Sequence, residues 1–127
     1  MHQKTFYICN MNSTELLKGT LPTIILKLLA DHGKMYGYEI TQKVKEMTDE
    51  KILIKEGSLY PALHKLLKDG LVEVETVNVG KRVRKYYAIT QQGQTKKQLQ
   101  FDELKEFMQT IQQLVFPQSK QLSAYAK

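Results

Sequence analysis

The sequence predicts a mainly α fold in which three helices share a small core with a two-stranded ribbon, and a long helix continues beyond them. Three observations carry this. Apolar residues recur at three- and four-residue spacing in separate stretches ahead of Gly70. From Leu71 to Thr90 the period changes to two, around a turn that contains Gly80. From Thr90 to about Val115 the helical period returns and holds to the end of a long stretch.

Residues 1–12 show no usable periodicity and read as a flexible N-terminal arm, with Met11 open as an alternative start. Ser13 to Lys18 is expected to be a short helical turn, capped by Ser13 and stopped by Gly19. Thr20 then caps a helix that tolerates Pro22 in its first turn. Leu21, Ile24, Ile25, Leu28 and Leu29 form its core face, and Gly33 ends it. The next helix spans about Tyr36 to Met47, with Ile40, Val44 and Met47 inward. Ile52-Leu53-Ile54 is too short for a helix and reads as a small strand. A third helix begins near Gly57-Ser58, with Ser58 as its cap and Pro61 in its first turn. Leu59, Leu63, Leu66 and Leu67 form its buried stripe, and Gly70 terminates it.

In the ribbon, Val72 and Val74 alternate with Glu73 and Glu75, and Val83 to Ile89 is the return strand. Asn78-Val79-Gly80-Lys81 makes the turn, with Asn78 and Gly80 supplying positive φ. Thr90 caps the last helix, Pro117 helps to end it, and residues 117–127 are a polar tail. This order is a winged helix-turn-helix over residues 13–90, with the ribbon as wing, followed by a helix over residues 91–116.

Composition excludes several classes. A 127-residue chain with 42% hydrophobic and 25% charged residues is one ordered domain rather than a disordered polymer. Apolar runs such as Thr23-Ile24-Ile25-Leu26 fall far short of the roughly 20 residues that span a bilayer. Met1 to Tyr7 has neither the apolar core nor the cleavage site of a signal peptide. Cys9 is the sole cysteine, so neither an internal disulfide nor a multi-cysteine zinc site is available. A cytoplasmic protein without membrane contact is expected. Catalysis has no candidate either. His2, His32 and His64 are scattered, no carboxylate pair accompanies them, and Gly33 and Gly37 around Lys34 do not make a phosphate loop. No enzyme activity, metal or cofactor is expected.

Charge is more informative. The net charge is +6, and no acidic residue occurs between Thr76 and Phe101. Lys81, Arg82, Arg84, Lys85, Lys96 and Lys97 all lie there, including both arginines of the chain. Such clustering either marks a surface for a polyanion or is a solvated lysine-rich face. The ribbon favours the first. A solvated hairpin needs charge for solubility but has no need for cations alone, and Arg82 and Arg84, two apart on a strand, point to one side. They suit a wing that straddles DNA backbone or enters a narrow minor groove.

The third helix is the natural reader of the major groove. With its leucines inward, Ser58, Tyr60, Pro61, His64, Lys65 and Lys68 face out. Ser58 and Lys65 suit phosphate, Tyr60 a phosphate or a thymine methyl, and His64 a base acceptor. Tyr60 and His64 have a second use, packing on the preceding helix.

Three blocks carry a resemblance: Gly37-Tyr38-Glu39-Ile40, Glu56-Gly57-Ser58-Leu59-Tyr60-Pro61-Ala62-Leu63-His64-Lys65-Leu66, and Gly80-Lys81-Arg82-Val83-Arg84-Lys85-Tyr86-Tyr87-Ala88-Ile89-Thr90. Together they resemble the PadR family of bacterial transcriptional regulators, over about Leu16 to Gly93. The resemblance implies a homodimeric winged-helix repressor at a palindromic operator on double-stranded DNA. It also implies DNA contacts at Tyr38, Ser58, Tyr60, Pro61 and the Lys81, Arg82, Arg84, Lys85 cluster. One departure is the wing tip, Gly-Lys-Arg here, where many relatives have a Gly-Arg-Pro-like turn.

Phe101, Leu104, Met108, Ile111 and Val115 form a stripe on the last helix, flanked by Phe107 and Leu114. At 1.5 Å per residue that helix is about 37 Å long, more than one small core covers. Its distal stripe needs a partner: a second copy making a dimerisation helix, or its own first helix by folding back. The short extension resembles the smaller PadR subfamily with a single C-terminal helix. Tyr7, Phe101, Phe107 and Phe116 leave a small-molecule effector open, although core or dimer packing also uses them, and the chain has no tryptophan to stack a planar one. The other reading of the whole is a winged-helix protein-interaction module that does not bind DNA.

Overall fold

In the computed structural model, which describes residues 15–117, helix α1 runs without a break from Glu15 to His32. The expected stop at Gly19 and cap at Thr20 are therefore corrected. Leu17 and Leu21 are both buried, one helical turn apart, and a single continuous helix puts both on the core side. That burial outweighs the cost of about 1 kcal/mol for a helical glycine. The Thr20 hydroxyl donates instead to the carbonyls of Leu16 and Leu17, at 3.0 and 3.2 Å. The expected Ser13 cap and the arm over residues 1–12 lie outside the described residues, as do residues 118–127 of the tail.

Gly33, at φ 80°, turns the chain out of α1 into a two-residue strand, β1 (Met35–Tyr36), and then α2 (Gly37–Met47). Ile40 and Val44 are buried as expected, but Met47 is exposed because the helix ends there and its last turn points past the core. Ile52 to Ile54 is not a strand. It is an irregular link in which Ile54 is buried and the Ile52 N–H donates to the Thr48 hydroxyl. A trio with alternating burial has the same sequence pattern as a strand; only a pairing partner separates them.

Helix α3 (Glu56–Lys68) starts earlier than expected, with Lys55 at the cap position. Ser58 is consequently its third residue rather than its cap, and Pro61 lies in the second turn rather than the first. Leu59, Leu63 and Leu66 are buried, whereas Leu67 is exposed, since a helix meeting the core along one stripe cannot bury adjacent residues equally. Gly70, at φ 76°, ends the helix.

Strands β2 (Val72–Val79) and β3 (Arg82–Ile89) pair antiparallel from Val72↔Ile89 to Val79↔Arg82. The turn is Gly80-Lys81 alone, and Asn78, expected in it, is paired with Val83. Gly80 has φ 62° and Lys81 does not have positive φ, the pattern of a two-residue turn that demands glycine only at its first position. Strand β1 joins the other edge of β3 through Met35↔Tyr87 and Tyr36↔Tyr86, giving the order β1-β3-β2. The ribbon is thus a three-stranded sheet at its base and two-stranded beyond. Val72 and Tyr87 enter the core with the leucines of α1 and α3; the distal ribbon is mostly exposed.

Helix α4 (Gln91–Val115) ends two residues ahead of Pro117. Its start is tied tightly. The Thr90 hydroxyl accepts from the Gly93 N–H at 3.0 Å and donates to the Gly70 carbonyl at 2.7 Å. The chain divides into two compact units between Lys97 and Gln98, within α4. In the second unit Phe101, Leu104 and Ile111 are half-buried, while Met108 and Val115 of the same stripe are exposed.

Candidate nucleic-acid interface

The candidate site is assembled from the wing, the exposed side of α3 and the first turn of α2. On the wing, Lys81, Arg82 and Lys85 are exposed and Arg84 is half-buried. Among the described residues none of these four cations is in an ion pair. Their charge is left uncompensated in a projecting ribbon, where a neutralising carboxylate would have been easy to place. Arg82 faces Val79 and Arg84 faces Val77 across the ribbon, so both arginines lie on one face of it.

On α3, Pro61, His64 and Lys65 are exposed and Ser58 is half-buried. Tyr60 packs on α2: a Cβ placed on Gly37 would come within 2.6 Å of the Tyr60 hydroxyl oxygen, so this ring closes over the first residue of α2. Tyr60 still keeps 39% of its surface exposed, enough to touch a ligand while it packs. Its phenol lies near that of Tyr87, whose pKa is pushed above its ordinary 10.0, first by burial and then by Tyr60. The first turn of α3 holds Glu56, an acidic residue where the helix dipole would otherwise favour an anion.

On α2, Tyr38 is 63% exposed and its carbonyl accepts from the Thr41 hydroxyl. Around it and Arg84 lie Tyr36, Tyr86 and Lys34, which the sequence does not mark as site residues. The Tyr36 ring stacks on Tyr38 at 6.5 Å and 19°, and meets Tyr86 edge-on at 5.4 Å. The Arg84 guanidinium lies 4.4 Å from the centre of the Tyr36 ring. Lys34 is 5.8 Å from the Tyr86 ring centre and pairs with Glu75 at 2.9 Å. The signal that could have found them is the period of two: Tyr86 is two residues from Arg84, on the same side of the strand.

For metal binding, no group of three His, Cys, Asp or Glu residues is suitably placed among the described residues. No described helix is long and apolar enough to cross a membrane.

Three helices over a small sheet, with a basic ribbon beyond, define a winged helix-turn-helix protein. The family model of the transcriptional regulator PadR-like family matches residues 25–99, more than half of the chain. The chain belongs to that family, whose members are transcriptional regulators and not enzymes. An uncharacterised protein of Lysinibacillus sphaericus is 37% identical over 86 residues, 65% of this chain and 76% of that one. A transcriptional regulator from Clostridium thermocellum is similar in structure with a TM-score of 0.75 and 33% identity, over 80% of this chain and 99% of the other. Bacillus subtilis PadR in complex with operator DNA is similar at a TM-score of 0.59 and 31% identity, over 65% of this chain and 46% of that one.

Proposed function

We propose that this chain is a cytoplasmic, DNA-binding transcriptional repressor that grips a palindromic operator as a homodimer. The observation that carries the reading is the wing: four cations on a projecting ribbon with no carboxylate partner among the described residues. In this reading α3 enters the major groove, with Ser58, Tyr60, Pro61, His64 and Lys65 toward the DNA and Tyr38 on the flanking backbone. Lys81, Arg82, Arg84 and Lys85 hold phosphates or a narrow minor groove. Two copies joined through Phe101, Leu104, Met108, Ile111 and Val115 place two reading helices about 34 Å apart, one turn of DNA. Similarity to a PadR solved on its operator supports the DNA-binding part. A ligand that alters the dimer angle would alter half-site spacing and release the DNA.

Binding to a random duplex, titrated with salt, tests it. Each phosphate neutralised contributes about 0.9 to the log–log slope, so a steep fall in affinity is expected. The double variant Arg82→Ala/Arg84→Ala weakens binding to all duplexes and flattens that slope. A wild-type chain with no salt-dependent affinity is instead a protein-interaction module.

A further inference from the structure

The face of the sheet turned away from the core carries a connected group of aromatic and cationic side chains. Met35 and Tyr87 are paired and buried, so their neighbours Tyr36 and Tyr86, also paired, lie on the opposite face. Arg84 and Arg82 follow Tyr86 on that face at steps of two. The centre of the group is Tyr36. Its backbone is fixed as the end of β1 and the cap of α2, where its N–H donates to the Glu39 carboxylate at 3.0 Å. Its ring touches both elements that flank α3: Arg84 of the wing at 4.4 Å and Tyr38 of α2 at 6.5 Å.

An arginine held over a ring by cation–π attraction spends none of its N–H donors on the contact; where the guanidinium lies flat on the ring, they radiate in its plane toward a phosphate. A carboxylate partner would have taken those donors, and Arg84 has none among the described residues. Stacking also removes rotamer freedom that a long side chain would otherwise lose when it binds. Arg82, two residues nearer the tip, is exposed and lies over no ring among the described residues.

We propose that Tyr36 is a positioning residue for DNA binding: it holds Arg84 of the wing and Tyr38 of α2 as one pre-set unit, leaving the guanidinium edge of Arg84 turned to phosphate. The two wing arginines are therefore unequal, Arg84 braced and Arg82 not. This role rests on the DNA-binding reading above, and the test separates the two.

The first measurement needs no DNA. Ring currents from Tyr36 shift the Arg84 side-chain resonances upfield in the wild type and in Tyr36→Phe, and Tyr36→Leu abolishes the shift. The second is salt-titrated duplex binding by the same proteins, Arg84→Ala, and the double variant Tyr36→Leu/Arg84→Ala. Tyr36→Leu is expected to lose about three- to tenfold in affinity, as Arg84→Ala does, and to flatten the salt slope by up to about 0.9 per wing although it removes no charge. Tyr36→Phe binds as the wild type, and the double variant is no weaker than Arg84→Ala. Should Tyr36→Leu not fold, Arg84→Lys serves: it keeps the charge, stacks poorly, and is expected to lose affinity to a similar extent. Unshifted Arg84 resonances, additive losses in the double variant, or wild-type binding by Tyr36→Leu or Arg84→Lys overturn the positioning role alone. Absence of salt-dependent binding in the wild type overturns the DNA reading and the role with it.

Discussion

Asp49 and Glu50 sit side by side in the left-handed region, at φ 51° and 64°, past Thr48 at the end of α2. Side chains with a Cβ pay for that conformation in steric strain of about 1–2 kcal/mol each. The turn is nonetheless held, because the Glu50 N–H donates to the Lys45 carbonyl at 2.8 Å and Asp49 to Glu46 at 3.3 Å. Glu50→Gly relieves strain without touching those bonds and is expected to stabilise the chain by about 0.5–1 kcal/mol, after the glycine's own entropy cost. Denaturant unfolding measures it; an unchanged or lower stability would mean that the turn carries no strain. At this scale the sequence was partly legible. Thr90 was recognisable as a cap because it directly precedes a helical period, and the hydrogen bond to Gly93 has that geometry. Ser58 had the right chemistry for a cap but the wrong place, since α3 begins two residues before it. Tyr36 is not marked by the sequence, because a single tyrosine between Met35 and Gly37 has no periodic neighbour; its partners come from β3 and α2.

Elements differ in what their glycines do, and two of them make a matched test. Gly19 lies inside α1, and a Cβ there would meet nothing within 4 Å. Gly93 lies in the first turn of α4, where a Cβ would fall on the Leu71 carbonyl oxygen and lie 2.6 Å from Ile89 Cγ1. The Leu71 carbonyl cannot step aside, because it accepts from the Thr90 N–H at 3.0 Å. Gly19→Ala is therefore expected to stabilise the chain by about 1 kcal/mol, through helix propensity. Gly93→Ala is expected to destabilise it by about 1–3 kcal/mol, through overpacking. Thermal unfolding of the two variants should move in opposite directions; movement in the same direction would refute the packing account. The element order was readable from period changes, because burial on one side imposes them. The two boundary differences have different causes. Local propensity favours a stop at Gly19, whereas burial of Leu17 and Leu21 carries the helix through it; Ile52 to Ile54 has the alternating pattern of a strand and lacks only a pairing partner.

At the scale of the molecule, the unpaired apolar surface is concentrated on the distal part of α4, where Phe107, Met108, Leu114 and Val115 are each more than half exposed. Placing Met108→Glu with Ile111→Glu on this stripe costs little if it faces water. In a dimer it would bury like charges against the partner, at several kcal/mol each. The double variant is expected to sediment as a monomer and to lose operator affinity, because its half-sites are no longer linked. A wild type that sediments as a monomer at micromolar concentration would refute the dimer. Overall architecture was legible because one chain of this length has few ways to bury four apolar stripes, while a partner surface leaves the same apolar pattern as a core. The wing behaves differently again. Beyond Val72 and Tyr87 its side chains contribute little to the core, and its turn asks only for a glycine at Gly80. Mutations there escape the filter of foldability that acts on α1 and α3. If the wing grips DNA as proposed, its tip is thus the part of the molecule where recognition can diverge fastest between descendants, with the scaffold beneath it unchanged.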